Sequence, residues 1–376
     1  MNRIATLLVS LVACSFSSVA IAQPTLSAPV DLSSAGATSS GINFAISSDG
    51  TKTTAVWREV APSGRYQLKT SSATIASGIA SWGPISTLSA AGRNVLGAKV
   101  QISSDGSKAL VVWTSQNSAK RSALESSSAT VVGNVASWGA ATPLTASAIE
   151  EQDAAIAFSA DGGRAFAVWE RGSSSAIHAR CTIIVGASAA VSGTTLSWGS
   201  AQQVSERGGC AGDPNVAISA SAGAVTAVWV SLGTIPTQIV RARTGAVSGT
   251  TVSWGAITDL SAPDHYAKSP SVAMSSDGTK ATAVWPRADI GAFGMPTDPI
   301  VTRSRSATVS GNVATWGATT VLSASTNSSA LPRMGLSSDG SAATSAWIRK
   351  VGSSYSVESS SGSVAGEVAA WGTPTA

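Results

Sequence analysis

The chain has 376 residues and a net charge of +4, with 12% of residues charged and 43% hydrophobic. So slight a positive excess, without a basic run or any interleaving of aromatic and basic residues, argues against a nucleic-acid binder. The apolar fraction, with many Ser, Thr, Ala and Gly, argues against disorder and for a large sheet protein with a small-residue core.

The first 22 residues read as a secretory signal peptide: Arg3, an apolar run over 4–13, and Ala20-Ile21-Ala22 before Gln23. The run is too short to span a bilayer, so no transmembrane span is expected. Leu11-Val12-Ala13-Cys14 resembles a lipobox, which is the alternative, with Cys14 lipidated. On either reading the protein is exported, to the periplasm or beyond the cell. Cleavage after Ala22 leaves 354 residues with a net charge of +3, read as one domain over 23–376.

From there the chain repeats itself. Ser275-Ser276-Asp277-Gly278-Thr279-Lys280, followed by an apolar run ending in Trp285, has near-copies ending in Trp57, Trp113, Trp169 and Trp347 and a degenerate one ending in Trp229. A second Trp, always followed by Gly, keeps the same beat at 82, 138, 198, 254, 316 and 371. Self-similarity at this period signals a repeat architecture. Within the fifth unit, 270–275 and 281–285 predict two strands joined at Asp277-Gly278, and 300–309 and 313–322 predict two more. Four short antiparallel strands per unit, six times over, predict an all-β six-bladed β-propeller of four-stranded blades.

The start of the mature chain, Ala28-Pro29-Val30-Asp31-Leu32-Ser33, matches the end of a fourth strand such as Ala256-Ile257-Thr258-Asp259-Leu260-Ser261, which the last unit lacks. The N-terminal strand is therefore expected to close the ring, since an open edge is an aggregation hazard. Each repeated Trp is a structural residue, burying ~200 Å² of largely apolar surface. Large residues of the inner strands (Phe44, Val100, Ile156, Val216, Val272, Met334) are expected to meet the Trp-bearing face of the neighbouring blade.

Ser-Ser-Asp-Gly-Thr-Lys ahead of an apolar strand resembles the Ser-Pro-Asp-Gly-Lys turn of TolB-type propeller repeats, and more distantly the Asp-box of neuraminidase propellers. Gly278 adjoins Asp277, and Trp285 lies seven residues beyond it, a spacing that departs from the Asp-box. The resemblance covers all six units and implies a fold without a reaction. Asp49, Asp105, Asp161, Asp277 and Asp339 read as structural, each carboxylate capping N–H groups of a tight turn whose Gly takes positive φ.

TolB-type connectivity implies that loops after the second and fourth strands share one face, where most remaining acidic residues fall. Ligand-binding candidates there are Asn43, Lys99, Asp153, Asp213, His265, Tyr266, Lys268 and Arg333, with Asn43, Lys99, Asn215, Ser271 and Arg333 at equivalent inner-strand positions around the channel mouth. Glu150 and Glu151 are the candidates for a catalytic carboxylate, since a glycosidase needs two across a sugar. The pairs Arg241 with Arg243, and Arg303 with Arg305, read as ladder residues on third strands. Cys181 and Cys210, 29 residues apart in the third unit, are expected to form a disulfide in an oxidising compartment, and with His178 and His265 they show no metal-ligand spacing. No cofactor motif is present.

The sequence thus predicts a monomeric, exported binding module for a glycan or an envelope or extracellular protein. A sialidase- or glycosidase-like hydrolase is the alternative, and a purely structural surface protein the third reading.

Overall fold

The computed structural model describes residues 30–33, 36–145, 150–172, 181–232, 237–263, 265–291, 296–297, 299–323 and 328–375. The signal peptide, Cys14 and His178 lie outside them. Among the described residues all regular elements are strands, grouped in six antiparallel sheets that follow the sequence repeat. The inner strands are Ser39–Ile46, Asn94–Ile102, Glu151–Phe158, Cys210–Ile218, Ser271–Met274 and Ser328–Leu336. The second strands end three or four residues past the repeated Trp, the third run over about eleven residues, and the outer strand is split by the Trp-Gly corner in most sheets. Among the described residues no helix is long and apolar enough to cross a membrane.

The Asp-Gly turns behave as their sequence demands. Ser103 Oγ donates to Asp105 Oδ1 at 2.6 Å, the same oxygen accepts the Ser107 N–H at 2.9 Å, and Gly106 takes φ 66°. Asp49, Asp161, Asp277 and Asp339 repeat the bonds. The second residue of each turn then joins neighbouring sheets through the backbone: the N–H groups of 48, 104, 160, 220 and 276 donate to the carbonyls of 104, 160, 220, 276 and 338 at 2.7–3.0 Å. One strand-to-strand turn thus serves as hairpin and as inter-sheet link.

Packing between sheets corrects one expectation. In an antiparallel pair, residues directly opposite share a face. Val100 lies opposite Val111, two residues before Trp113, so the large inner residue and the Trp occupy the same face of their own sheet. That face packs on the back of the preceding sheet, Val100 and Trp113 against Val56 and Leu68. The next junctions follow the pattern, with Ile156 and Trp169 on Leu110, Val112 and Leu124, and Val216 and Trp229 on Phe166, Val168 and Ile184.

The same logic shows where the series stops. The front of the first sheet leaves Phe44 69% exposed, and the back of the sixth leaves Val357 66% exposed. No bond of the turn series returns from Ser338 to Ser48 among the described residues. Among the described residues the six sheets are not hydrogen-bonded into a closed ring, and the pairing of residues 30–33 with the last sheet that the sequence predicts is not formed there. Val30 and Leu32 instead line a cavity of about 320 Å³ with Ser39, Ile42 and Trp57 of the first sheet. Leu260, at the equivalent strand end of the fourth sheet, likewise shares a core cluster with Trp285 of the following sheet.

The disulfide forms between Cys181 and Cys210, with Cα atoms 5.0 Å apart. It does not staple one blade, as its sequence position suggested. Cys181 precedes the third strand of the third sheet and Cys210 opens the inner strand of the fourth, so the bridge ties two sheets together.

Candidate functional site

Each inner strand starts with an irregularity that aims it at the axis. Register shifts fall between Ser40 and Asn43, Val95 and Gly97, Gln152 and Ala155, Gly212 and Asn215, and Ala330 and Arg333. The residue two before Asn43, Ala155, Asn215, Ser271 and Arg333 is left-handed: Gly41 (φ 63°), Asp153 (47°), Asp213 (53°), Ser269 (40°) and Leu331 (49°). A left-handed non-glycine residue costs about 1–2 kcal/mol, so four such residues at one repeated position mark a bulge that the surrounding sheet enforces. Asp tolerates the conformation better than most side chains.

These bulges bring distant sheets together. Lys99 of the second sheet, Asp153 of the third, Asp213 and Asn215 of the fourth, Ser269 of the fifth and Arg333 of the sixth line one cavity of about 190 Å³. Lys99, Asp153 and Ala154 also line an adjoining cavity of about 430 Å³ that reaches Asn43, Arg58 and Trp113. The two lobes make one polar funnel on the axis, with three cations, Arg58, Lys99 and Arg333, and two carboxylates, Asp153 and Asp213, on its wall.

Electrostatics fit a shared site. Burial, then the charge of Asp213, raise the Asp153 carboxyl above the usual range, and Lys99 works the other way. Burial, then the like charge of Arg333, lower the Lys99 ammonium. Behind the wall stands buried Glu170, which accepts the Asp213 N–H at 2.8 Å and a Gln152 Nε2 bond at 3.1 Å. Its carboxyl is raised chiefly by burial, with Asp153 and Asp213 adding to the effect. Glu170 follows Trp169 directly, where the other units carry Arg58, Thr114, Val230, Pro286 and Ile348. Its acidity was visible in the sequence; its convergence with two bulge aspartates was not, because three separate strand ends create it.

Several expected residues are committed to the scaffold. The side-chain oxygens of Asn43, Asn215 and Ser271 accept the N–H groups of Val100, Val272 and Met334 from the next sheet. They hold inner strands in step around the funnel, and Asn43 and Asn215 line it as well. Glu151 is buried, and both its carboxylate oxygens are engaged within the third sheet, one accepting from Trp169 Nε1 and the other from Arg171 Nε at 2.8 Å. Exposed Glu150 shares no cavity lining with the axial set. His265, Tyr266 and Lys268, at the fifth sheet, line neither lobe of the funnel: His265 Nε2 contacts Arg287 and lies 3.1 Å from Asp289, Tyr266 pairs with Ala288, and Lys268 is exposed. Three of the four ladder arginines find partners along the sheet, Arg241 meeting Glu206 and Asp259 while Arg243 and Arg305 donate to carbonyls at the outer strand. Among the described residues no group of three His, Cys, Asp or Glu side chains is placed to hold a metal ion.

No protein-family model matches this chain, and no curated protein matches it. Solved structures do. An α-L-arabinofuranosidase, Arb93A from Fusarium graminearum, in complex with an iminosugar inhibitor, is 12% identical with a TM-score of 0.47, covering 85% of this chain and 92% of its own. An α-L-arabinanase from Penicillium chrysogenum, complexed with arabinobiose, is 10% identical with a TM-score of 0.45, covering 82% and 88%. The β-propeller domain of the Trilobed protease from Pyrococcus furiosus, described as having an open velcro topology, is 9% identical with a TM-score of 0.38, covering 89% and 97%.

Proposed function

We propose that this chain is an exported, monomeric six-bladed β-propeller that captures a glycan in the axial funnel. The observation that carries the reading is the convergence of Lys99, Asp153, Asp213 and Arg333, from four different sheets, on one polar cavity. Polar ligands rich in hydroxyls suit such a wall, because carboxylates accept and cations donate around a ring of vicinal groups. Export rests on the leader over 1–22 and agrees with a disulfide between Cys181 and Cys210. Ring closure is part of the proposal, with Leu32 and Ser33 completing the outer strand of the sixth sheet.

The test is a glycan array probed with the purified mature chain and with Lys99→Ala/Arg333→Ala. Binding by the parent, lost by at least about tenfold in the double variant at unchanged Tm, is the expected result. A silent array, or equal binding by both proteins, counts against the reading.

A hydrolase on the same site is the second reading, favoured by the raised carboxyls of Asp153 and Glu170, of which only Asp153 lines the cavity. On that reading Asp153 would act as the proton donor. Turnover of a fluorogenic glycoside by the parent and not by Asp153→Asn would favour it over simple binding.

A further inference from the structure

The tryptophan that closes each second strand needs an acceptor for its buried indole N–H. The chain supplies one in five sheets. Trp113, Trp169 and Trp347 donate to Glu125, Glu151 and Glu358, Trp57 donates to Glu59, and Trp229 to Ser231. In three sheets a guanidinium completes the set, with Arg93 3.3 Å from Glu125, Arg171 2.8 Å from Glu151 and Arg349 2.9 Å from Glu358. The carboxylate arrives by different routes. Glu125 and Glu358 lie opposite their Trp on the third strand, whereas Glu151 comes from the inner strand. A carboxylate between an indole N–H and an arginine therefore recurs although the residue that delivers it changes.

The fifth sheet keeps the donors and, among the described residues, lacks the acceptor. Trp285 is fully buried and its Nε1 has no partner. The position opposite it, held by Glu125 and Glu358 elsewhere, is Arg303, whose Nε is also buried without a partner. Arg287 follows Trp285 by two residues, as Arg171 and Arg349 follow theirs. Burial, and then the charge of Arg287, press on the Arg303 cation. Asp289, 4.0 Å from Arg287 and 3.1 Å from His265, is 78% exposed and makes no bond to the indole. Trp138 and Trp254 also lack an indole acceptor, but both are only half-buried.

We propose that the junction of Trp285, Arg287 and Arg303 is a carboxylate-binding site, in which the carboxylate of a small ligand takes the place that a glutamate side chain occupies in the sheets around Trp113, Trp169 and Trp347. It is separate from the axial funnel, and nothing in it depends on what the funnel binds. The ligand would accept from Trp285 Nε1 and from Arg303, with Arg287 as the second cation.

The experiment is a titration of the full mature chain, 15N-labelled, with sodium acetate against sodium chloride at equal ionic strength. The indole resonance of Trp285, assigned with Trp285→Phe, is followed. A saturable shift of that resonance is expected, with affinity at least about tenfold weaker in Arg303→Gln. Arg303→Glu returns a carboxylate to the register position of Glu125 and Glu358; it should raise Tm in acetate-free buffer and abolish the acetate response. The proposal is overturned by no saturable shift in the parent, by an unchanged affinity in Arg303→Gln, or by an acetate response that survives in Arg303→Glu. Inorganic phosphate binding as tightly as acetate would overturn the assignment to carboxylates.

Discussion

Asp105 accepts three hydrogen bonds, from Ser103 Oγ, Ser107 N–H and Ser107 Oγ, and these hold its pKa down at about 2 against an ordinary 3.8. Because the folded value is depressed, the unfolded chain binds the proton more readily, so this stabilisation is present above the unfolded pKa and is lost as pH falls through the folded one. The carboxylate is largely exposed, and solvent screening reduces the effect. Asp105→Asn is expected to cost about 1 kcal/mol at neutral pH and to flatten the decline of urea-derived stability between about pH 4 and about pH 2. An unchanged acid profile in the variant would sink the capping role. The role of this aspartate was legible because Asp-Gly is a local instruction: the hydroxyl two residues back and the N–H two residues on are within reach whatever the rest of the chain does. Glu151 was not legible, since the atoms that engage it, Trp169 Nε1 and Arg171 Nε, become neighbours only when two strands pair.

Strand pairing is thus where acidic residues divide into scaffold and site. Glu151 sits on the inner strand with its carboxylate taken by an indole and a guanidinium, while Asp153, two residues on and inside the register shift, lines the funnel. Removing the acceptor strands a buried N–H and a cation, which costs about 2–4 kcal/mol. Glu151→Ala should therefore lower urea stability by that amount and leave axial ligand binding intact; lost binding in a folded Glu151→Ala protein would argue that the residue belongs to the site after all. The alternation of large and small residues was readable at period two, yet which faces meet was not. Val100 and Trp113 share a face only because Val100 pairs with Val111, and register is a property of two strands together. The cysteines show the same limit: pairing followed from their number and the export signal, whereas their bridging of two sheets depends on where each strand begins.

At the scale of the molecule, the proposed closure is tested at the seam between the sixth and first sheets. In the other five sheets a hydroxyl from the end of the outer strand accepts a third-strand N–H: Ser89 from Leu68, Thr145 from Leu124, Ser205 from Ile184, Ser261 from Val240 and Ser323 from Thr302. The sixth-sheet counterpart of those N–H groups is Val357, and Ser33 is the residue that a closing N-terminal strand would bring to it. If the ring closes in solution, the Val357 amide should be protected from hydrogen exchange, and Leu32→Asp/Ser33→Ala should expose it. Rapid exchange of Val357 in the parent protein would rule the closure out.

The number of sheets, their antiparallel strands and their tight turns were determined by the sequence alone, because a turn and an alternation are written in residues a few positions apart and repeated six times. The funnel, the five indole acceptors and the vacant sixth were decided only by the tertiary structure. Each joins side chains from strands or sheets tens of residues apart, whose meeting is set by register and by the bulges that turn inner strands toward the axis.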